Sequence, residues 1–320
     1  MKKLYFIMIL LIALIASACG STEPEAVAPA TDIPETAVPA TDVPETVVPA
    51  TDIPETAVPA TDEPEPALHE MNITATAEGW DAPASVPAGW TKVTLINESE
   101  GLRQAAFLRL DDDKSMDDVF AAIEAGMEGP PAWMTPYGGV SGVLPGENTT
   151  VSLNLAAGQY IVIDPVPGAD GVPGMAKGYF MPLVVEESNV TTAAPAADLS
   201  VELVDYAFKV DFDTFTAGKH TIKVTNSGAQ EAHELVIVKL DDGATIQDFL
   251  SAFAPDAPGG APPGVFIAGT GAFDEVTDNY LEVEFEAGAT YGIVCFTPST
   301  ENGGQPHFTL GMVGQFTVQE

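Results

Sequence analysis

The chain has 320 residues, and its 47 acidic side chains against 11 Lys and Arg give a formal net charge of −36 at pH 7. Nucleic acids and anionic lipid headgroups bind basic surfaces, so this balance excludes them as partners and favours cationic ones. The only cysteines are Cys19 and Cys295, which is too few for a disulfide framework.

The first eighteen residues have the composition of a signal peptide. Two lysines precede an apolar run over residues 4–15, and small residues at positions 16–18 come directly before Cys19. The apolar run is too short to span a bilayer well. The pattern resembles a bacterial lipoprotein signal, so we expect residues 1–18 to be removed and Cys19 to carry a lipid anchor on the outer side of a membrane. The alternative is ordinary secretion with a free Cys19.

Residues 19–69 have the composition of a disordered stalk. A ten-residue unit, PATDIPETAV in its first copy, recurs from residue 29 to residue 68 and contains no aromatic side chain. Such a Pro-, Thr- and Glu-rich segment has too little apolar surface to fold, and its prolines favour extended geometry. We therefore expect it to hold the folded part away from the membrane.

From residue 70 onward, short alternating segments separated by Gly, Pro and Asn predict an all-β fold. The predicted strands include 90–96, 151–155, 159–163, 220–225, 234–240, 280–285 and 314–318. The pattern occurs twice: Asn97 to Leu110-Asp-Asp matches Asn226 to Leu240-Asp-Asp, and a short helical pattern follows each. We therefore predict two tandem β-sandwiches, residues 70–187 and 198–320, joined by a linker over residues 188–197.

The second half contains His233, Cys295, His307 and Met312 in that order. A sandwich gathers strand ends and loops at one pole, where binding residues collect. Two imidazoles, a thiolate and a thioether are the ligands of a blue-copper site, with methionine as the long axial ligand. Each residue alone is explained as ordinary core or surface, but their order and the His-x4-Met spacing after Pro306 favour one copper site.

These segments resemble the cupredoxin family, in particular its plastocyanin-like branch. The resemblance covers about residues 198–320 and rests on Asn226-Ser-Gly before His233, Tyr291-x3-Cys295, and Pro306-His307 with Gly311-Met312. It implies a Greek-key β-sandwich with one type-1 copper ion bound by His233, Cys295, His307 and Met312.

Two features depart from that family. Eleven residues separate Cys295 from His307, whereas plastocyanins have a much shorter loop. Glu234 stands where many cupredoxins place an asparagine that ties the two ligand loops together. Both departures leave the bracing of the ligands, and with it the redox potential, undetermined.

The first half offers a comparison, because aligning the two copies replaces every ligand. The alignment places Asp164 opposite Cys295, Gly174 opposite His307, Tyr179 opposite Met312, and Arg103 or Gln104 opposite His233. We predict a cupredoxin-like domain without copper.

Three functions agree with the sequence. The first is single-electron transfer by a lipid-anchored blue-copper protein, to a redox partner that bears a basic patch. The second is copper handling without redox turnover, and the third is a metal-free surface assembly module. An enzyme is not expected, because beyond His233 and His307 only His69 and His220 remain, too few for a trinuclear or nitrite-reducing copper centre.

Overall fold

A computed structural model describes residues 68–125, 129–168, 170–228, 231–254, 260–274 and 277–319. The predicted signal peptide, Cys19 and the predicted stalk up to residue 67 lie outside these residues. The described residues belong to one compact unit. None of the helices among them is long and apolar enough to cross a membrane.

The described part of the first half is built from strands with one α-helix. In chain order these are β1 (His69–Thr76), β2 (Gly79–Asp81), β3 (Ser85–Pro87), β4 (Gly89–Asn97), β5 (Arg103–Leu110), α1 (Met116–Glu124), β6 (Met134–Val143), β7 (Asn148–Leu155), β8 (Gly158–Ile163) and β9 (Phe180–Glu186). His69, assigned to the stalk above, is the first residue of β1. A 3-10 helix, Gly174–Lys177, precedes β9.

The second half repeats this order, except that a 3-10 helix, Phe212–Thr214, takes the place of β3. Its elements are β10 (Leu199–Val204), β11 (Ala207–Lys209), β12 (Gly218–Asn226), β13 (Val236–Leu240), α2 (Ile246–Ser251), β14 (Gly264–Gly269), β15 (Asn279–Phe285), β16 (Thr290–Val294) and β17 (Val313–Thr317). A 3-10 helix, His307–Leu310, precedes β17. All seven predicted strands occur, and side chains of β4 and β12 alternate between core and surface as the sequence pattern predicts. The all-β class is confirmed.

The strands form three sheets whose topology repeats between the halves. The largest sheet has the order β11-β10-β12-β15-β7-β4-β1-β2, a second has the order β3-β9-β8-β5-β6, and a third has the order β14-β13-β16-β17. In each half the first strand pairs in parallel with a later strand, β1 with β4 and β10 with β12. Each half is therefore two sheets packed face to face.

The two halves share one sheet and one core. Val151 of β7 lies opposite Leu281 of β15, and Val140 of β6 lies opposite Thr270. A single cluster of buried apolar residues runs through both halves. An isolated second half would expose the β15 edge to solvent, and unpaired edges promote aggregation. Residues 187–197, which include the predicted linker, form neither helix nor strand.

Candidate metal centre

Cys295, His307 and Met312 are positioned by the β16–β17 hairpin. Cys295 directly follows β16, and Met312 directly precedes β17. The Cys295 N–H donates to the Met312 carbonyl at 3.2 Å, and the Met312 N–H donates to the His307 carbonyl at 3.0 Å. Gly311, at φ +119°, ends the 3-10 helix in the left-handed region, so the chain can turn back into β17.

His233 reaches the same place from the segment that precedes β13, the strand next to β16 in its sheet. It pairs with Phe273, giving an N–H bond of 3.2 Å to the Phe273 carbonyl and accepting one of 3.0 Å in return. Its Nδ1 lies 2.9 Å from Nδ1 of His307. Cys295 Sγ lies 3.4 Å from the same Nδ1 of His307. Ligand atoms of the three residues lie within 4.8 Å of one another. The fold thus brings together the three donors that the sequence analysis selected.

All four predicted ligands are fully buried. His233, Cys295, His307 and Met312 each have 0% exposure. Cys295 and Met312 belong to the main apolar core, and Met312 contacts the other two loop ligands through its backbone. Any ion at this site is therefore shielded from bulk water.

A carboxylate caps the outer nitrogen of each imidazole. Asp205 Oδ1 lies 3.3 Å from Nε2 of His233, and Glu231 Oε2 lies 3.1 Å from Nε2 of His307. An ionised carboxylate only accepts, so Nε2 of each ring carries the hydrogen and Nδ1 of each neutral ring carries a lone pair. Two lone pairs then face each other, and they repel unless a cation or a proton lies between them.

Burial sets the protonation of the donors. It lowers the pKa of His233 and of His307, although Asp205 and Glu231 act in the opposite direction. Burial, together with the nearby Glu234 carboxyl, raises the pKa of the Cys295 thiol to about 12. At neutral pH the site holds two neutral imidazoles and a protonated thiol, and a metal ion bound there would have to displace the thiol proton.

The donor set fits a type-1 copper ion. Thiolate, thioether and imidazole are soft or borderline donors, which suit copper rather than Mg²⁺ or Ca²⁺. His233, His307 and Cys295 would hold the ion, with Met312 as the weaker fourth ligand. The caps fix the imidazole tautomers that this role requires.

A tight turn between β10 and β11 covers the two imidazoles. The turn carries Asp205 and Tyr206, and Tyr206 has a φ of +60°, which is strained for a residue with a bulky side chain. The Tyr206 ring packs edge-on against His307, with centroids 5.2 Å apart. Its hydroxyl donates to Glu231 at 2.8 Å. The strained turn thus places the Asp205 side chain against His233 and the Tyr206 ring against His307.

The long loop between Cys295 and His307 encloses the Glu231 carboxylate. Glu231 Oε1 accepts bonds from the Thr300 N–H, from the Thr300 hydroxyl at 2.6 Å and from the Ser299 hydroxyl at 3.2 Å. Burial alone would raise the pKa of Glu231, but these bonds and that from Tyr206 outweigh it and lower the pKa to about 2. The extra loop length builds a site that holds the carboxylate on His307.

Glu234 joins the two ligand segments despite the unexpected residue type. Its Oε1 accepts the Phe296 N–H at 2.9 Å, and its own N–H lies 3.5 Å from Cys295 Sγ. Burial raises the pKa of Glu234 to about 7, against the effect of the Phe296 N–H. A glutamate therefore makes the tie that the family resemblance assigns to an asparagine.

The equivalent pole of the first half keeps the backbone pattern of this site. The Asp164 N–H donates to the Tyr179 carbonyl at 2.9 Å, and the Tyr179 N–H donates to the Gly174 carbonyl at 3.1 Å. These bonds match the two that join the loop ligands of the second half. The predicted correspondence of Asp164, Gly174 and Tyr179 to the three loop ligands agrees with this geometry.

Arg103, rather than Gln104, occupies the position of His233. Arg103 pairs with Val143, and the Val143 carbonyl accepts from the buried Asn97 amide. In the second half His233 pairs with Phe273, and the Phe273 carbonyl accepts from the buried Asn226 amide. Arg103 Nη1 lies 3.5 Å from Asp164 Oδ2. An ion pair thus stands where the second half has imidazole and thiol.

Sequence reasoning missed Asp205, Tyr206 and Glu231. Asp205 and Tyr206 lie 28 and 27 positions before His233, in a turn that has no glycine or asparagine to mark its left-handed residue. Only Glu231 could have been suspected from the sequence, because an acidic residue two positions before the candidate ligand His233 could lie close to the site.

No protein-family profile and no curated protein sequence matches the chain. Solved structures that resemble it include auracyanin from Roseiflexus castenholzii, with 20% identity over 38% of this chain and 96% of that chain and a TM-score of 0.27. Auracyanin A, a "blue" copper protein from Chloroflexus aurantiacus, has 19% identity over 38% and 100% of the two chains and a TM-score of 0.26. Copper nitrite reductase from Nitrosomonas europaea has 13% identity over 79% of this chain and 95% of that chain, with a TM-score of 0.23. TM-scores this low do not by themselves establish a function, and the geometry of the site carries the proposal below.

Proposed function

We propose that the protein binds one copper ion through His233, Cys295, His307 and Met312 and transfers single electrons outside the cytoplasm. The observation that carries this proposal is the convergence of two imidazole Nδ1 atoms and a thiol sulfur within 4.8 Å of one another, all fully buried. A copper ion held there supplies a one-electron couple.

The protein's own groups prepare the site for that couple. The β16–β17 hairpin and the carboxylate caps fix the donors, so little rearrangement accompanies a change of charge. Burial keeps water from adding to the ligand set. One electron enters and one leaves in each cycle, and the protein makes or breaks no covalent bond.

The turn over the imidazoles is the part of the site nearest to solvent. The imidazoles are fully buried, whereas Tyr206 is half-buried and the Asp205 side chain is 32% exposed. Glu301, which is exposed, acts electrostatically on Tyr206. We propose that a redox partner docks here with a basic patch, in an encounter that salt weakens.

The location belongs to the same proposal. The composition of residues 1–18 and Cys19 supports a lipid anchor in a bacterial envelope, and the repeat stalk would hold the copper site away from the membrane. Replacement of Cys19 by serine is expected to release the protein from membranes into the soluble fraction.

Voltammetry of the copper-loaded full chain tests the electron-transfer role against copper handling. We expect a reversible one-electron wave that persists over repeated cycles with the copper retained. Loss of copper on reduction would instead favour copper storage or delivery. The Cys295→Ser variant is the control and is expected to give no such wave.

A further inference from the structure

Residues 270–274, here called the bridging segment, lie between the first half and the stretch that carries His233. On one side, the Phe273 N–H donates to the His233 carbonyl at 3.0 Å, and the His233 N–H donates to the Phe273 carbonyl at 3.2 Å. On the other side, Phe273 pairs with Tyr137 of β6. A single segment therefore connects the ligand-free half to the backbone of a predicted ligand.

Three backbone hydrogen bonds fasten the bridging segment to β6. They run from the Gly271 N–H to the Gly139 carbonyl at 3.1 Å, from the Asp274 N–H to the Pro136 carbonyl at 3.2 Å, and from the Gly138 N–H to the Ala272 carbonyl at 3.0 Å. Because β6 is the last strand of its sheet, these bonds extend the sheet of the first half toward the metal site.

Gly271 allows the bridging segment to approach β6 this closely. A Cβ atom at this position would lie 2.7 Å from the Gly138 carbonyl oxygen and 2.8 Å from its carbonyl carbon. The φ of Gly271 lies outside the left-handed region, so the position requires glycine for space rather than for conformation. Backbone atoms cannot rotate away as the end of a side chain can, so a larger residue must displace β6 or the bridging segment.

The bridging segment is bound just as directly to the ligand side. The Thr270 N–H donates to the Leu235 carbonyl at 2.9 Å, and the Thr270 hydroxyl accepts the Leu235 N–H at 3.0 Å. With the Phe273 bonds to His233, these contacts fix the backbone at both ends of the short stretch that carries the ligand. A displaced bridging segment therefore moves His233 with it.

We propose that Gly271 is a positioning residue, through which the ligand-free first half fixes the backbone of His233 and so the place of its Nδ1 in the donor cluster. That atom lies 2.9 Å from Nδ1 of His307, so a small shift of the backbone changes the geometry offered to a metal. This role rests on the copper site proposed above. It gives the first half a part in the site rather than that of a spacer.

Amide hydrogen exchange in the metal-free full chain tests the proposal directly. Gly271→Ala adds the Cβ for which β6 leaves no room. We expect the His233 N–H to exchange about tenfold faster relative to the Cys295 N–H, which is bonded to the Met312 carbonyl. A general loss of stability accelerates both amides, so the ratio of the two rates reports the local change.

Gly79→Ala is the matched control. A Cβ at Gly79 would lie 2.9 Å from the Gly178 carbonyl oxygen, so the same substitution forces backbone atoms apart within the first half. It should lower the urea midpoint and leave the ratio of His233 to Cys295 exchange unchanged. In copper-loaded protein, Gly271→Ala should shift the visible spectrum and weaken copper affinity by about tenfold, whereas Gly79→Ala should do neither.

A measurement on the wild type does not depend on the folding of a variant. A metal that fixes His233 must also stabilise the bonds that hold its segment, because coupling between two sites is reciprocal. We expect copper to slow exchange at the Gly138 N–H by about tenfold. The Tyr179 N–H, bonded to the Gly174 carbonyl at the ligand-free pole, should not respond.

An unchanged ratio in Gly271→Ala overturns the proposal. An equal rise in Gly79→Ala also overturns it, because the first half would then contribute only general stability. In the metal-free wild type, exchange of the Gly271 N–H at the rate of an unprotected amide would overturn it without any variant. If the wild type takes up no copper, the proposed function fails, but the metal-free exchange ratio still decides the role of Gly271.

Discussion

The Glu231 carboxylate lies 3.1 Å from Nε2 of His307, at the far side of the imidazole from Cys295 Sγ. The loop between the two ligands supplies the donors that hold this carboxylate. The unusual length of that loop and the orientation of its histidine are therefore parts of one arrangement.

Removal of the Glu231 carboxylate should weaken copper binding. Glu231→Ala frees the His307 ring and tautomer, and losing such a partner costs about 10- to 100-fold in metal affinity. Glu231→Gln keeps an acceptor oxygen and should restore part of the affinity. A copper titration with a competing chelator measures both. Glu202→Ala, which removes a surface carboxylate of β10, is the control, and equal losses in all three variants would contradict the assignment.

Replacement of Tyr206 should separate backbone strain from protection of the site. Tyr206→Gly relieves a φ of +60°, which stabilises the turn by about 1 kcal/mol, but it uncovers the imidazoles. We expect a chelator to remove copper faster from this variant than from Tyr206→Phe, which keeps the ring. Equal removal rates for glycine and phenylalanine would show that the ring does not cover the site.

Copper uptake should release one proton per site above neutral pH. The lowered pKa values of His233 and His307 leave both rings neutral there, whereas Cys295, with a pKa of about 12, is still protonated. As pH rises, fewer protons compete with the metal, so apparent affinity should increase about tenfold per pH unit. Calorimetry in buffers of different ionisation enthalpy counts the protons. Release of two or three would mean that the imidazoles are charged before binding.

Asp164 should make the first half less stable as pH rises. Burial raises its pKa to about 6, although the Val166 N–H and Arg103 act in the opposite direction. A carboxyl with a raised folded-state pKa contributes most below its unfolded value, and this contribution, about 3 kcal/mol, is lost as pH rises through about 6. Asp164→Asn removes the titration, so urea unfolding should show the variant gaining on the wild type between about pH 4 and pH 7. Parallel stability curves would contradict this.

The sequence was sufficient to predict the β-strands and to select His233, Cys295 and His307, which the fold brings together, because both follow from local patterns. Strands such as β4 and β12 have strict alternation, and the segment from Cys295 to Met312 concentrates three donors within one hairpin. The repeat also predicted that Asp164, Gly174 and Tyr179 stand opposite the three loop ligands, but it left Arg103 or Gln104 open opposite His233.

The bracing of the site was beyond sequence reasoning because it depends on contacts between distant segments. Glu231 meets the loop at Thr300, 69 positions later, and Asp205 meets His233 across 28 positions. Nothing in the local pattern around Tyr137 indicates that it pairs with Phe273 in the other half. The shared sheet was also missed, because the sequences of β7 and β15 alternate between apolar and polar residues as in any strand, and nothing in them indicates that the two strands pair.

The most direct test of the account is a Cu(II) titration of the full chain followed by visible absorption, with Cys295→Ser beside the wild type. We predict an intense thiolate-to-copper charge-transfer band that saturates at one copper per chain and is absent from the variant. Absence of the band in the wild type, or copper uptake that Cys295→Ser leaves unchanged, would contradict the assignment of these residues as a type-1 copper site.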